Sequence, residues 1–200
     1  MGIIERKQRQ KEEVRTAILE AAWQLVLQDG WQALSIRKIA DAIEYSVPVI
    51  YTHFESKDAL LMEFTREGFR QLNADLEEAR DAAATPSAQL EAMAHAYWSF
   101  AVRNPEYYQL MYGLGMPTCE TVRQIPELVQ FSQLNRTVIQ ALIGEGRNPE
   151  ADVMLKFTTY WSMLHGFVSI HMTSTAQATD EFKQMVFSDL VKGVIKNIRD

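Results

Sequence analysis

The chain has 200 residues, 47% of them apolar and 23% charged, which suffices for one large soluble domain or two small ones sharing a helix. Its single cysteine, Cys119, excludes an intrachain disulfide and fits a reducing cytoplasm. No apolar run approaches the roughly 20 residues needed to span a bilayer, and the N-terminus is charged from Glu5 onward, so a cytoplasmic protein with no membrane partner is expected.

The net charge of −6 is unevenly spread. Residues 1–57 carry eight Lys/Arg and eight Asp/Glu, so the acidic surplus lies wholly in residues 58–200. Within residues 1–11, a basic N-terminal arm, Arg6, Lys7, Arg9 and Lys11 oppose Glu5 alone. A phosphate responds to the field within about 10 Å, not to the whole-chain sum. The arm reads either as a segment that enters a minor groove or as a solvated tail.

Residues 12–57 follow with helical periodicity. Val14, Ala17, Ile18, Ala21, Ala22, Leu25 and Val26 fall on one face of a helix that Asp29-Gly30 ends. Ser35 caps a second helix with Ile36, Ile39, Ala40 and Ile43 inward. A short third helix runs from about Val47 to His53, and the span 35–54 has the shape of a helix-turn-helix. Ser46, Val47 and Pro48 at its start are placed to meet base edges, and Tyr51, Thr52, His53 and Lys57 to meet phosphate oxygens. Ser35 and Arg37 add an anion-favouring helix start.

Ser56 caps a fourth helix, a connecting element over residues 58–80 and roughly 36 Å long. Pro86 opens a further helix to Arg103, and Asn104-Pro105 another to about Gly113. Gly113, Gly115, Pro117 and Pro126 mark a loop or broken helix. Helices are expected at 126–144, 149–172 and 180–198, with no strand pattern. The fold class is therefore all-α, about nine helices, with a three-helix N-terminal unit and a helical bundle over residues 81–200.

That bundle is rich in aromatic and Met residues, among them Tyr97, Trp98, Phe100, Tyr107, Tyr108, Met111, Tyr112, Met116, Phe131, Phe157, Trp161 and His165. Residue by residue these read as core; as a set they could line an apolar cavity with a few polar tips. The helices at 149–172 and 180–198 carry more apolar surface than one partner helix would cover. Phe182, Met185, Val186, Leu190, Val194 and Ile198 form a stripe that could be monomer core, but the need for two half-sites about 34 Å apart on DNA favours a twofold dimer built from these last two helices. His165 and His171, six apart, do not make a helical metal pair, and Cys119 reads as a passive thiol. No phosphate loop, nucleophile elbow or metal spacing nominates an enzyme, and no cofactor is implied.

The N-terminal pattern resembles the tetracycline-repressor (TetR) family of transcriptional regulators. The resemblance rests on Ile18-Leu19-Glu20-Ala21-Ala22, Gly30-Trp31, Ser35 to Ala40, Ser46, Pro48, Ile50-Tyr51, His53-Phe54 and Ser56 to Leu60. It implies an all-α homodimer that binds a pseudo-palindromic DNA operator through its first three helices. It also implies a C-terminal domain, residues 81–200, that takes a small effector, apolar or weakly polar given the few charges in the aromatic set. The reading is a ligand-responsive regulator, a repressor released by its effector. The rival is a helical small-molecule- or protein-binding module without operator binding. One departure motivates that rival: Ile43-Glu44-Tyr45 stands where the family has Ala-Gly-Val, and a glycine there supports a positive φ. Trp161, His165 and Gly166, with Asn104 to Gly113, are similar to a Trp-His-Gly subgroup of the family.

Overall fold

A computed structural model describes residues 2–113, 125–173 and 178–200. The expected loop around Gly115 and Pro117, with Met116 and Cys119, lies outside the described residues. Among the described residues there are nine α-helices and one 3-10 turn, and no strand. They are α1 (Ile3–Asp29), the turn Trp31–Ala33, α2 (Ile36–Ala42), α3 (Val47–Tyr51), α4 (Lys57–Asp81), α5 (Pro86–Arg103), α6 (Pro105–Met111), α7 (Pro126–Gly144), α8 (Val153–Thr173) and α9 (Asp180–Arg199).

Caps account for most boundaries. The hydroxyls of Ser35, Ser56, Thr85 and Thr179 each accept a hydrogen bond from a backbone N–H in the first turn of the helix that follows. Pro86, Pro105 and Pro126 each occupy a first helical turn, where no N–H is missed. Gly30 ends α1 at φ +77°, its N–H donating to the Val26 carbonyl at 2.8 Å. One expectation is revised. The basic arm is not a separate tail, because α1 begins at Ile3 and carries Arg6, Lys7, Arg9 and Lys11 as exposed positions on a continuous helix.

Two hydrophobic cores share α4. The smaller is built from Ile18, Ala22, Val26, Trp31, Leu34, Ile36, Ile39, Ala40, Ile50 and Phe54, and is closed by Leu60 and Phe64 of α4. The larger takes over one turn later at Phe69, Leu72 and Leu76 and joins α5 to α9. Helix α6 is divided between them: Leu110 is buried in the first core, Tyr108 and Met111 in the second. Its close approach to α4 depends on Gly68, where a Cβ would lie 2.5 Å from Met111 Sδ. Two contacts tie α6 back to the N-terminal unit. Tyr107 stacks on Trp23 with ring centres 4.3 Å apart, and Trp31 Nε1 donates to the Glu106 carbonyl at 2.8 Å.

Candidate nucleic-acid interface and effector cavity

Helix α3 is short because its sequence lets it be an anchored blade. Ile50 is fully buried and Phe54, just past its end, is nearly so; Arg15 of α1 lies over the Phe54 ring at 5.2 Å. With those two residues inward, Ser46, Pro48, Tyr51 and Thr52 are left exposed, and Val47 half-buried. Arg37 is exposed on α2. Ser35 is partly buried, its Oγ accepting from Lys38 N at 3.2 Å, which leaves its hydroxyl proton free to donate. Thr52 already donates to the Val49 carbonyl at 2.7 Å.

Two residues expected at phosphates are placed differently from the rest. Lys57 Nζ donates to the Leu34 carbonyl at 2.6 Å, pinning the start of α4 to the residue before the α2 cap. Its ammonium is thus a structural clamp with spare donors, not a free tip. His53 is partly buried, Nδ1 lacks a partner, and burial together with the nearby Lys11 cation lowers its pKa. Near neutral pH it is an uncharged imidazole, so it can offer a phosphate a hydrogen bond but no charge. Tyr45, next to Ser46, is an exposed aromatic side chain that the motif spacing did not single out.

The turn between α2 and α3 takes the conformation that Glu44 disfavours. Glu44 sits at φ 58°, the one non-glycine positive φ among the described residues, and its side chain is exposed. The Tyr45 N–H still reaches the Ala40 carbonyl at 3.0 Å, so the helix-turn-helix geometry is kept without the glycine.

In the C-terminal bundle the expected ligand residues separate into groups. Tyr108, Tyr112, Phe131, Phe157, Trp161 and His165 come together. Trp98 does not: it packs with Phe167 and Phe187 on the far side of α5. Tyr107 belongs to the contact with Trp23, and Met111 fills the notch over Gly68, so both are packing residues. At the centre is a polar chain in apolar surroundings. Tyr97 Oη and Tyr108 Oη are 3.0 Å apart, Tyr108 Oη is 2.8 Å from His165 Nδ1, and His165 Nε2 is 3.3 Å from Ser169 Oγ. Tyr97 and Tyr108 are fully buried. Burial raises the phenol pKa values of Tyr97, Tyr108 and Tyr112 and lowers that of His165, so all four groups are neutral near pH 7.

Beside this chain lie two unpaired polar atoms. Tyr112 Oη and Trp161 Nε1 are buried and close together, yet neither meets a hydrogen-bonding partner in good geometry. Such atoms cost free energy unless something satisfies them. Sequence reasoning had no signal for Tyr97 over its aromatic neighbours, nor for Ser169; only the fold brings them to His165.

The presumed dimer stripe also divides. Phe182, Met185 and Leu190 are exposed on α9, whereas Val186 and Val194 pack against the protomer's own core. The larger uncharged surface is on α8, where Met154, Leu155, Thr158, Thr159, Ser162, Ile170 and Thr173 are exposed and Lys156 is the helix's one Lys, Arg, Asp or Glu. No helix among the described residues is long and apolar enough to cross a membrane, and no group of three or more His, Cys, Asp or Glu there could hold a metal.

Residues 18–71 match the family model described as bacterial regulatory proteins, tetR family, and residues 90–193 match the model of the tetracyclin repressor-like C-terminal domain. The chain belongs to the TetR family. It is a helix-turn-helix transcriptional regulator. The description of the C-terminal match names no Trp-His-Gly subgroup. Over 172 residues, 86% of each chain, it is 26% identical to the uncharacterized HTH-type transcriptional regulator YobS of Bacillus subtilis. Over 93 residues, 46% of this chain and 42% of the other, it is 30% identical to the HTH-type transcriptional repressor KstR of Mycobacterium tuberculosis. The TetR regulator PfmR of Thermus thermophilus superposes with a TM-score of 0.64 at 22% identity, covering 88% of this chain and 97% of PfmR, which is a likeness of fold.

Proposed function

We propose that this TetR-family regulator is a cytoplasmic repressor without enzymatic activity, which binds its operator as a homodimer and releases it when a small molecule occupies the C-terminal bundle. The observation that carries the reading is the anchored α3, with Ile50 and Phe54 inward and Ser46, Pro48, Tyr51 and Thr52 outward. Exposed Arg37 and the basic positions of α1 give that surface its positive charge despite the acidic whole. Two such heads must sit about 34 Å apart to enter successive major grooves. The uncharged face of α8, with Phe182 and Met185 of α9, supplies a self-complementary surface for a twofold pairing.

The Tyr97–Tyr108–His165–Ser169 chain suits ligand recognition, its neutral phenols, imidazole and hydroxyl offering both donors and acceptors. Release requires only that the effector prefer one arrangement of the heads; about 1.4 kcal/mol of coupling is a tenfold change in operator affinity. The carrier is α6, since Tyr108 belongs to the buried polar chain while Tyr107 and the Glu106 carbonyl hold the N-terminal unit.

The test is fluorescence anisotropy with duplexes from the intergenic region upstream of the gene. Specific binding that steepens as salt falls, and that Arg37→Ala or Tyr51→Ala weakens about tenfold with unchanged helicity, is expected. Salt-independent association, or none at low salt by folded protein, removes the operator-binding reading and leaves the binding module.

A further inference from the structure

A cleft of about 610 Å³ opens between α7 and α8, and its chemistry is lopsided. Its floor is Phe131, Phe157 and Trp161; its rim on α7 is Ser132, Gln133 and Arg136. Arg136 is exposed and makes no ion pair or hydrogen bond among the described residues, and no carboxylate lines the cleft. Arg9, Arg15, Arg70, Arg80 and Arg103 pair with carboxylates, whereas Arg136, like Arg6, Arg37, Arg66, Arg147 and Arg199, has no ion pair among the described residues. Arg136 shares its cleft with Phe131, Phe157 and Trp161. The floor is also thin. Phe131 lies 6.2 Å from Tyr97, Trp161 lies 6.2 Å from Tyr112 and 5.5 Å from His165, and behind them are the unpaired Tyr112 Oη and Trp161 Nε1.

We infer that this cleft binds a monoanionic amphiphile, a carboxylate with a hydrophobic aryl or medium-length alkyl body, the acid on Arg136 and the body over Phe131, Phe157 and Trp161. The inference rests on the effector-binding reading above and names its ligand class. Arg136 offers a planar fork of donors that fits a carboxylate on two oxygens, and Gln133 adds a neutral donor one turn away. One cation and no second basic group among the described lining residues suit one negative charge, which disfavours a nucleotide or a phosphorylated thioester. The volume is that of a site for one small ligand.

The experiment uses the full chain and two matched pairs of probes: 4-phenylbutyrate against 4-phenylbutan-1-ol, and decanoate against decan-1-ol. Binding is followed by calorimetry and, in parallel, by release of operator DNA. The acids are expected to bind about fivefold tighter than their alcohols, a partly exposed ion pair being worth no more than that. Arg136→Gln should abolish the difference while leaving alcohol affinity unchanged, and Arg136→Lys should restore part of it. Equal affinity of acid and alcohol, an acid preference that survives Arg136→Gln, or no saturable binding of either acid overturns the assignment. The two readings fail separately. Acids that bind at Arg136 but leave operator affinity unchanged support the cleft and count against the effector reading. Release by a neutral compound that ignores Arg136→Gln does the reverse.

Discussion

Three buried tyrosines in and beside one hydrogen-bonded chain should respond to loss of their hydroxyls in three different ways. Tyr108 Oη is the junction, bonded to Tyr97 Oη at 3.0 Å and His165 Nδ1 at 2.8 Å. Tyr108→Phe removes both bonds, each worth about 1 kcal/mol net, and strands the Tyr97 hydroxyl, which has no other hydrogen-bond partner and adds a penalty of about 1 kcal/mol or more. The expected loss is about 2–4 kcal/mol. Tyr97→Phe removes one bond and leaves Tyr108 engaged with His165, for about 1 kcal/mol. Tyr112→Phe removes a hydroxyl that has no partner, so the change lies between zero and a gain of about 1 kcal/mol.

Urea unfolding at a fixed protomer concentration, with the slope checked for constancy, reads all three. The pair Tyr97→Phe and Tyr108→Phe should be strongly non-additive, because both remove the same bond and Tyr97→Phe removes the hydroxyl that Tyr108→Phe would strand. Tyr112→Phe should be as stable as the wild type yet bind effector more weakly. A Tyr112→Phe loss equal to that of Tyr108→Phe, or additive effects at Tyr97 and Tyr108, would refute the described hydrogen-bond pattern.

Three further outcomes follow from other parts of the molecule. At Glu44, φ 58° predicts that Glu44→Gly changes stability by less than about 1 kcal/mol, relieved strain being offset by glycine's freedom in the unfolded chain, whereas Glu44→Val costs about 1–2 kcal/mol; equal stabilities of the two by denaturation would contradict the positive φ. Leu155 on α8 is 63% exposed, so Leu155→Glu should yield a folded monomer by light scattering with weakened operator binding, and a persisting dimer would place the pairing surface elsewhere. Because burial lowers the His165 pKa, the unfolded chain binds the extra proton first as pH falls below the ordinary histidine value near 6.5. The native contribution is therefore complete above that value and declines through the acid side toward the lowered pKa. His165→Gln should flatten the decline between wild-type unfolding curves at neutral and mildly acidic pH, and a steeper decline in the variant would reverse the sign.

The N-terminal unit was legible because its determinants are local. A cap at Ser35, the inward Ile36, Ile39 and Ala40, and the anchors Ile50 and Phe54 are fixed by spacing along single helices, and the structure buries those apolar residues as the periodicity requires. The end of α3 came out shorter than the expected His53, a matter of one turn's hydrogen bonding. Lys57 shows where the limit lies. Its type and position suit a phosphate, but the carbonyl it clamps belongs to Leu34, across the three-helix unit. The uncharged face of α8 lies on one of the two helices expected to build the dimer, and Lys156 is its one strongly charged residue.

The C-terminal site was illegible for a physical reason that α6 makes plain. Tyr107 and Tyr108 are adjacent, alike and both aromatic, yet a rotation of about 100° per residue turns one toward Trp23 and the other toward His165. Which of them joins the buried polar chain and which holds the N-terminal unit depends on how α6 lies on α4, and that depends on the absence of a side chain at Gly68. Periodicity within a seven-residue helix cannot report a contact such as that of Tyr108 with His165, made 57 positions away. The same short lever that hid the site from the sequence is what makes coupling possible. A shift of Tyr108 by an incoming ligand cannot leave Tyr107 or the Glu106 carbonyl in place, because all three are fixed to one rigid pair of helical turns.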